Sequence, residues 1–444
     1  MNKLEKLQKN IDNKLLTIKR IGSRGEGVSN LTTEINYRES DYTFFVPFTL
    51  PDEIVVVKPT LSTSEGVRAN LVEIKSASPK RISPKCKHFF KCGGCLLQHW
   101  KFEDYSSWKI GKVSLPIIKI SPTTTIKEIK TSSIKSRRHV KLKAKKYKYI
   151  TIIGFNEYKS KFITKIEKCM IIKSELEELI HNLEKPLHKL LNVGNEIDIH
   201  ANLLDNGVDL LINGIEKIDY HKLNIFIENI SLSSIIRFHR GLNDNTNELL
   251  FTRDLSSLSN KSFSTITFPP PGGFLQATAE GENAILESVI QGLNENKKTK
   301  LICELFCGSG TITLPLLKKR YQIHAFELDK KSLKSLDIAC RKEGFGNRVK
   351  TKERDLKNFP LTSEELSKYD AIIVDPPRSG AKLQFLNIAQ SNVLTIISIS
   401  CNVNTFVRDA KILIESNYEL KWVQPIDQFL FSAHVELVAI FQLK

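Results

Sequence analysis

No run of apolar residues in this chain approaches the roughly 18 needed to span a bilayer. The N-terminus, MNKLEKLQKNIDNKLL, scatters its lysines among isolated apolar residues and has no apolar h-region. A membrane span and a secretory signal are therefore not expected, and the expected location is the cytoplasm. Internal repeats and low-complexity tracts are also absent. Acidic residues are in deficit: 49 Asp+Glu against 66 Lys+Arg, that is 66 − 49, leave a formal net charge of +17. Hydrophobic residues at 41% and charged residues at 26% are ordinary for a folded globular chain, which excludes wholesale disorder. The 444 residues suffice for two to four domains at roughly 100–200 residues each.

The positive excess favours a polyanionic partner, because each Lys or Arg that neutralises a phosphate releases counterions. The competing reading is a lysine-rich solvated surface, and charge alone does not separate the two. Eight cysteines in a long chain of this kind are not a disulfide framework. Three of them, Cys86, Cys92 and Cys95, crowd into ten residues, a spacing that asks for a metal.

Along the chain, residues 1–78 read as short strands broken by glycine and proline (LLTIKRIG, YTFFVPF, EIVVVKPT, ANLVEIKS), which predicts a small OB-like β-barrel of the kind that holds RNA on one face. Residues 79–265 follow as a mixed α/β stretch holding the cysteine cluster and the basic run IKSRRHVKLKAKKYKY. That run suits a strand with one basic face, or an edge strand that lysine protects from aggregation. From residue 266 to 444, strands alternate with amphipathic helices, which implies right-handed βαβ crossovers and a mostly parallel sheet.

In such a sheet, ligands bind beyond the carboxyl ends of the strands. The turn Phe306-Cys307-Gly308-Ser309-Gly310-Thr311 lies there, its glycines permitting close backbone approach to a ligand. A full GxGxxG is absent, so a dinucleotide is weakly supported. Glu327 ends the second strand, where an acid can take both ribose hydroxyls. Asp355 follows the third, where an acid can receive an adenine amine, and Asp375 follows the fourth, in DPPR. A single strand-end acid is often only a helix cap. The ordered series predicts a nucleoside-bearing cofactor, and S-adenosylmethionine fits best.

DPP here is followed by Arg378 and not by the aromatic that base amino-methyltransferases need for stacking. The fifth strand ends in Ser400-Cys401-Asn402, which puts a cysteine above the same cleft. A pyrimidine gives that cysteine work. C5 of uracil is too weak a nucleophile until a thiolate adds at C6, and a base must then remove the C5 proton so that the cysteine can leave. Glu436, in HVE near the C-terminus, is the candidate base, since an enclosed carboxylate has its pKa raised toward usefulness. The target base must first leave any stack.

These motifs together resemble the S-adenosylmethionine-dependent RNA uracil-5 methyltransferases, class I enzymes that modify tRNA or 23S rRNA, over nearly the whole chain. GEGVSN and FFVPFTLPDEIV resemble the N-terminal TRAM barrel, and CKHFFKCGGCLLQHW the cluster-binding segment of the ribosomal branch. RRHVKL, IGFN and FITKIEKC resemble the central domain. FLQAT, ELFCGSGT, AFELD, VDPPRSG, ISCN and HVE resemble the catalytic domain in order. The resemblance implies a multidomain α/β protein: a Rossmann-like class I methyltransferase sheet, an OB-like (TRAM) barrel, and a mixed α/β central domain carrying a metal cluster. By the same likeness Cys401 is the nucleophile and Glu436 the base. Gln276, Phe306, Thr311, Glu327, Asp355 and Asp375 line the cofactor and uracil pocket, and Arg137, Arg138 and Lys141 touch RNA. Several positions depart from the family pattern: Thr278 stands for the Asn of FxQxN, Thr311 for Asn, Ser398 for Tyr, Val403 for the Pro of SCNP, and Leu430 for the Pro before HVE. They bear on loop rigidity and on contacts to the cofactor's amino-acid end, and they remove no reacting group.

Cys86, Cys92, Cys95 and Cys169 offer four thiolates, which suit tetrahedral zinc or a [4Fe–4S] cluster equally by spacing. The resemblance favours [4Fe–4S], held for folding or RNA contact, and 23S rRNA over tRNA as substrate. A monomer with no obligate protein partner is expected. The main alternatives are a tRNA uridine-5 methyltransferase, a cytosine-5 enzyme (disfavoured because Pro377 or Arg378 stands where a second cysteine is usual) and an RNA-binding or ribosome-assembly factor with vestigial activity.

Overall fold

The computed structural model describes residues 13–35, 38–215, 219–231, 234–242, 246–253 and 259–444. The chain divides into two compact units: residues 1–109 with 157–160 and 431–434, and the remainder.

The first unit is built on six strands: β1 (Lys14–Thr17), β2 (Arg20–Ile21), β3 (Gly27–Ile35), β4 (Arg38–Val46), β5 (Ile54–Thr63) and β6 (Gly66–Ser76), in the order β1-β5-β6-β4-β3-β2. Between β1 and β2 the backbone bonds both ways, Ile18 N–H to Glu53 O and Lys19 N–H to Val28 O, which brings the ends of the sheet together as a barrel-like fold. Alternate residues of these strands (Leu16, Phe44, Val46, Val55, Val57, Val67) fill its interior, as a period of two requires. Glu53, fully buried, accepts two bonds from the Arg81 guanidinium, at 2.5 and 2.8 Å, and ties the barrel to the segment that leads to the cysteines. Helix α1 (Phe102–Ile120) follows that segment.

In the second unit two short strands, β7 (Thr125–Ile126) and β8 (Lys130–Thr131), precede a seven-stranded sheet. It comprises β9 (His139–Lys146), β10 (Thr151–Asn156), β11 (Ile163–Lys165), β12 (Glu196–Leu204), β13 (Gly207–Asn213), β14 (Ile235–Gly241) and β15 (Asn247–Thr252), with helices α2 (Ser174–Leu190) and α3 (Tyr220–Ser231). The basic run forms β9, and β9 pairs with β10 on one side and β12 on the other. It is thus no edge strand. Val140, Leu142 and Ala144 are buried while Lys141, Lys143 and Lys145 alternate on the other face, so the alternation reflects a half-buried strand with one basic face. A small hairpin, β16 (Asn260–Ser262) and β17 (Thr265–Thr267), leads to helix α4 (Ala279–Asn294).

The remaining strands are β18 (Leu301–Leu305), β19 (Gln322–Glu327), β20 (Val349–Glu353), β21 (Ala371–Val374), β22 (Thr395–Ser400), β23 (Tyr418–Asp427) and β24 (Glu436–Leu443). They form a sheet ordered β20-β19-β18-β21-β22-β24-β23-β7 with β8 also on β23. The five strands from β20 to β22 are parallel, and β24 enters antiparallel to both β22 and β23. Every residue of β21 and β22 is buried, as expected of strands covered on both faces. Helices α5 (Thr313–Lys318), α6 (Lys330–Lys342), α7 (Ser363–Leu366), α8 (Lys382–Ala389) and α9 (Val403–Glu415) supply that cover. Two apolar cores follow from the strand pleat: Ile302, Ile373 and Ile397 pack on one face, and Cys303, Ile372 and Ile396 on the other. This topology sets the ends of β18, β19, β21 and β22 side by side along one edge of the sheet, with Glu436 at the start of the reversed strand beside them.

Candidate active site

The turn after β18 begins with Phe306 at φ 64°, a left-handed conformation that is strained for a bulky aromatic. Its backbone N–H bonds Phe326 O, which anchors the turn to β19. Gly308, at φ 55°, has open space where a Cβ would stand, so a ligand can reach its backbone. Beside this turn lies a cleft of about 70 Å³ whose lining includes Gln276, Glu282, Glu304, Phe306, Thr311 and Asp375. Among the described residues no lysine or arginine lines it, in a chain of net charge +17. Four of the six predicted pocket residues (Gln276, Phe306, Thr311 and Asp375) therefore line one cleft.

The other two have prior engagements. Glu327, at the end of β19, accepts Gly308 N–H at 3.0 Å on one oxygen, and Leu328 and Asp329 N–H on the other. Asp355 follows β20 and accepts the N–H groups of Lys357 and Asn358 together with the Asn358 side-chain amide, the last at 2.7 Å. Those donors, the Asn358 backbone N–H foremost, hold its carboxyl below the usual range. Asp355 thus serves first as the cap of its own turn.

Burial dominates the electrostatics of the cleft. Asp375 is pushed up to about 7 by burial and by the charge of Glu327. Glu304, inside β18, is pushed up to about 8, again mainly by burial, although Thr313 Oγ1 donates to it at 2.7 Å. Glu436 is pushed up to about 8 by burial and by Asp375, partly offset by a hydrogen bond from Gln428. Cys401 follows β22 directly. Burial and the charges of Glu436 and Asp375 raise its thiol to about 11, while Arg378 acts the other way. Cys401 is thus within electrostatic reach of Glu436, Asp375 and Arg378, and Glu436 of Asp375, where the carboxyl ends of β21 and β22 meet the start of β24. Of these, Asp375 also lines the cleft.

Several contributors carried no sequence signal. Gln428 Nε2 donates to Gln276 Oε1 at 2.8 Å. Arg138, expected to touch RNA, is 6% exposed and bonds Glu282 Oε2 (2.6 Å), Asn260 Oδ1 (2.7 Å) and Gln276 O (3.2 Å). That expectation is corrected: the guanidinium is spent inside the protein, holding the Gln276 segment to α4. Arg137 is half-buried and stacks toward Phe429, whereas Lys141 is exposed. Thr278 caps α4 by accepting Gly281 N–H, the work an Asn would also do. Asn402 caps α9, and Val403 is the first residue of that helix, a place Pro also suits.

Cys86, Cys92, Cys95 and Cys169 are partly exposed and stand outside any disulfide among the described residues, and Gly94 N–H donates to Cys92 Sγ at 3.4 Å. The donor set suits a thiolate-bound metal in kind, but among the described residues no three Cys, His, Asp or Glu side chains are gathered to hold one. No described helix is long and apolar enough to cross a membrane.

Comparison with known proteins accords with this geometry. The sequence profile of the tRNA (Uracil-5-)-methyltransferase family matches residues 260–443. A protein of Brucella melitensis described as an uncharacterized RNA methyltransferase is 34% identical, covering 96% of this chain and 97% of its own. A 23S rRNA (uracil(1939)-C(5))-methyltransferase of Shewanella sediminis is 29% identical over 90% of each chain. The fold is shared with the tRNA (uracil-54, C5)-methyltransferase of Pyrococcus abyssi, solved in complex with S-adenosyl-L-homocysteine. The TM-score is 0.74 at 17% identity, covering 96% of this chain and 99% of that one. With relatives that match it end to end and a family profile spanning the cleft, the chain belongs to the RNA uracil-5 methyltransferases.

Proposed function

We propose that the protein transfers a methyl group from S-adenosylmethionine to C5 of a uridine in 23S rRNA. The observation that carries this reading is the meeting of Cys401, Asp375 and Glu436 at the ends of β22, β21 and β24, beside a cation-free acidic cleft. A sulfonium cofactor meets no lysine or arginine among the described residues that line this cleft. The turn at Gly308 leaves backbone open to the cofactor, and Gln276, Phe306, Thr311, Glu327, Asp355 and Asp375 are the residues assigned to the cofactor and uracil pocket.

The chemistry balances as follows. Cys401 gives its thiol proton to solvent water and the thiolate adds to C6, leaving an enolate across C5 and O4. C5 attacks the sulfonium methyl, forming the C–C bond as the C–S bond breaks and S-adenosylhomocysteine departs neutral. The Glu436 carboxylate takes the C5 proton, the C5–C6 double bond re-forms, and the thiolate leaves. Arg378 favours the thiolate electrostatically.

Cys86, Cys92, Cys95 and Cys169 are proposed to hold a [4Fe–4S] cluster used for folding or RNA contact, supported by their thiol chemistry and the N–H donated to Cys92. The chemistry above takes no step through it. Iron and sulfide near four each per chain after anaerobic purification support the cluster. Stoichiometric zinc points to the alternative metal, and no metal at all removes both.

The test of function offers methyl-labelled S-adenosylmethionine with protein-free 23S rRNA or with bulk tRNA lacking 5-methyluridine, and reads nucleosides by mass spectrometry. Label in 5-methyluridine of the rRNA is expected. Label in the tRNA alone moves the substrate, and no label with no cofactor binding leaves an RNA-binding factor. Cys401→Ala abolishes turnover and Glu436→Gln traps a covalent RNA adduct; an active Cys401→Ala protein overturns the mechanism.

A further inference from the structure

Apart from the cofactor cleft, the catalytic sheet carries a second cavity, of about 360 Å³, against its last strand, β20. The parallel register of β19 and β20 sets His324 opposite Lys350 and Phe326 opposite Lys352. Residues two apart on a strand share a face, so these four line one side of the cavity. Lys368 and Tyr369, from the segment after α7, line it as well. Phe326, Tyr369 and Leu361 are buried and give the cavity an apolar floor, whereas Lys350, Lys352 and Lys368 are exposed. His324 Nδ1 and the Tyr369 hydroxyl lie 2.9 Å apart, which holds the two rings together.

The nearby carboxylates are taken by other cations. Glu365, which also lines the cavity, accepts from Arg354 at 3.4 Å and from Thr362 N–H at 2.9 Å, and Glu353 pairs with Lys330 at 3.3 Å. Among the described residues no ion pair thus neutralises Lys350, Lys352 or Lys368. Burial, and after it the positive charges of Lys350 and Lys368, hold His324 below its usual range. Lysines on an edge strand also deter pairing with another chain. That role calls neither for Lys368, which arrives from a different element, nor for a cavity beside it. Ligand pockets run from roughly 300 to 1,000 Å³, so this one is on the scale of a single nucleotide and far below a duplex.

We propose that the cavity holds one unstacked nucleotide of the substrate RNA, its base against the apolar floor and its phosphate among Lys350, Lys352 and Lys368. The proposal rests on the reading of RNA as the substrate. Phe326 O accepts the Phe306 and Cys307 N–H groups of the cofactor turn, so cavity and cleft share β19. His324 stands three residues before Glu327, about 10 Å along the strand, a separation that a short single strand spans.

The test uses the full chain with protein-free 23S rRNA. Changing Lys350, Lys352 and Lys368 together to Gln should weaken RNA binding by more than about tenfold and lower the salt slope by about two units, at roughly 0.7 per phosphate contact. KM for RNA should rise while kcat at saturating RNA stays within about twofold. Changing Lys297, Lys298 and Lys411, three exposed lysines of the same sheet region, should lower affinity by less than about threefold. Equal losses in the two sets mean a general charge effect and overturn the proposal. Lys350→Gln alone should lower the slope by about 0.7, and it carries the test if the triple variant does not fold. A transcript with part of its uridine replaced by 4-thiouridine should, on irradiation, crosslink to the peptide holding His324 and Phe326 or to that holding Tyr369; crosslinks only elsewhere overturn the proposal. Uridine 5′-monophosphate that binds the wild type and not the triple variant, with RNA affinity the same in both, assigns the cavity to a free nucleotide and overturns it too. Methyl transfer by a wild type that shows none of the cavity effects removes the cavity proposal alone. Cavity crosslinks without methyl transfer remove the functional reading alone.

Discussion

Asp375 and Glu436 are coupled across the end of the sheet: the charge of the Asp375 carboxylate opposes ionisation of Glu436. Burial acts in the same direction and is the larger influence on both, so Glu436 is pushed up to about 8 and Asp375 to about 7. Near neutral pH the free protein therefore keeps much of this carboxylate cluster protonated. The protein pays for ionising it only at higher pH, where the proposed base must work.

That coupling makes stability depend on pH in a stated direction. Glu436 ionises near 4.5 when unfolded and near 8 when folded, so the folded state binds the extra proton. Its contribution is then fully present below 4.5 and lost as pH rises toward 8. Glu436→Gln abolishes this titration and keeps the side-chain shape. Urea unfolding should find wild type and variant alike at about pH 5 and the variant more stable at about pH 8.5, by on the order of 1–3 kcal/mol. A difference that does not change with pH would contradict the assignment of the raised carboxyl.

Turnover should climb with pH over the same window. The proposed base acts in its ionised form, which becomes dominant only above about 8, and the Cys401 thiol, raised to about 11, is a minority thiolate throughout. Single-turnover release of 5-methyluridine from the adduct should rise by up to about tenfold per pH unit between roughly 6 and 8 before bending over. A rate flat across that range would mean that neither group titrates in the rate-limiting step.

Much of this site was legible in the sequence because strand-end positions follow from apolar runs. AIIV and TIISIS mark buried parallel strands, and the residues directly after them, Asp375 and Cys401, have to emerge at the cleft edge. What was not legible depends on partners distant in sequence. Gln428 and Gln276 are 152 residues apart and neither is titratable, so no local pattern joins them. Arg138 sits in a run of Lys and Arg that reads as one basic face, yet its acceptors Asn260 and Glu282 come from another part of the chain. Asp355 was legible as a strand-end acid, but whether its oxygens were already engaged depended on the turn that follows. Glu304 carried a usable signal, a lone acid in the apolar strand LICEL, since a charge placed there must be neutralised or paired.

The substitution of Thr for Asn at 278 should be nearly silent. Thr278 Oγ1 accepts the Gly281 N–H at 2.9 Å and contacts Ser132 Oγ at 2.7 Å. Asn caps helices at least as well as Thr, so Thr278→Asn should stay within about 0.5 kcal/mol, while Thr278→Ala should cost about 1 kcal/mol or somewhat more. Chemical denaturation of the two variants checks the order, and an Ala variant as stable as wild type would show that the cap contributes nothing.

Arg138 gives the sharpest separation between a surface basic residue and a buried one. Its guanidinium and the Glu282 carboxylate are 7% and 2% exposed and 2.6 Å apart. Asn260 bridges them, accepting from Arg138 and donating to Glu282 Oε1 at 3.2 Å. Removing one partner of such a pair leaves a buried charge without compensation, at a cost of about 3–5 kcal/mol. Arg138→Met should therefore lower stability by that order. Arg138→Lys should recover little, because an ammonium cannot span Asn260, Glu282 and the Gln276 carbonyl as the planar fork does. The double change Arg138→Met with Glu282→Leu should recover most of the loss, since an apolar pair carries no desolvation penalty. Lys141→Ala, on the exposed side of β9, should leave stability within about 0.5 kcal/mol. It should instead weaken RNA binding and reduce its salt dependence by close to one unit of slope. If Arg138→Met weakened RNA binding with the fold intact, the guanidinium would be an RNA contact after all and the buried network would not account for it.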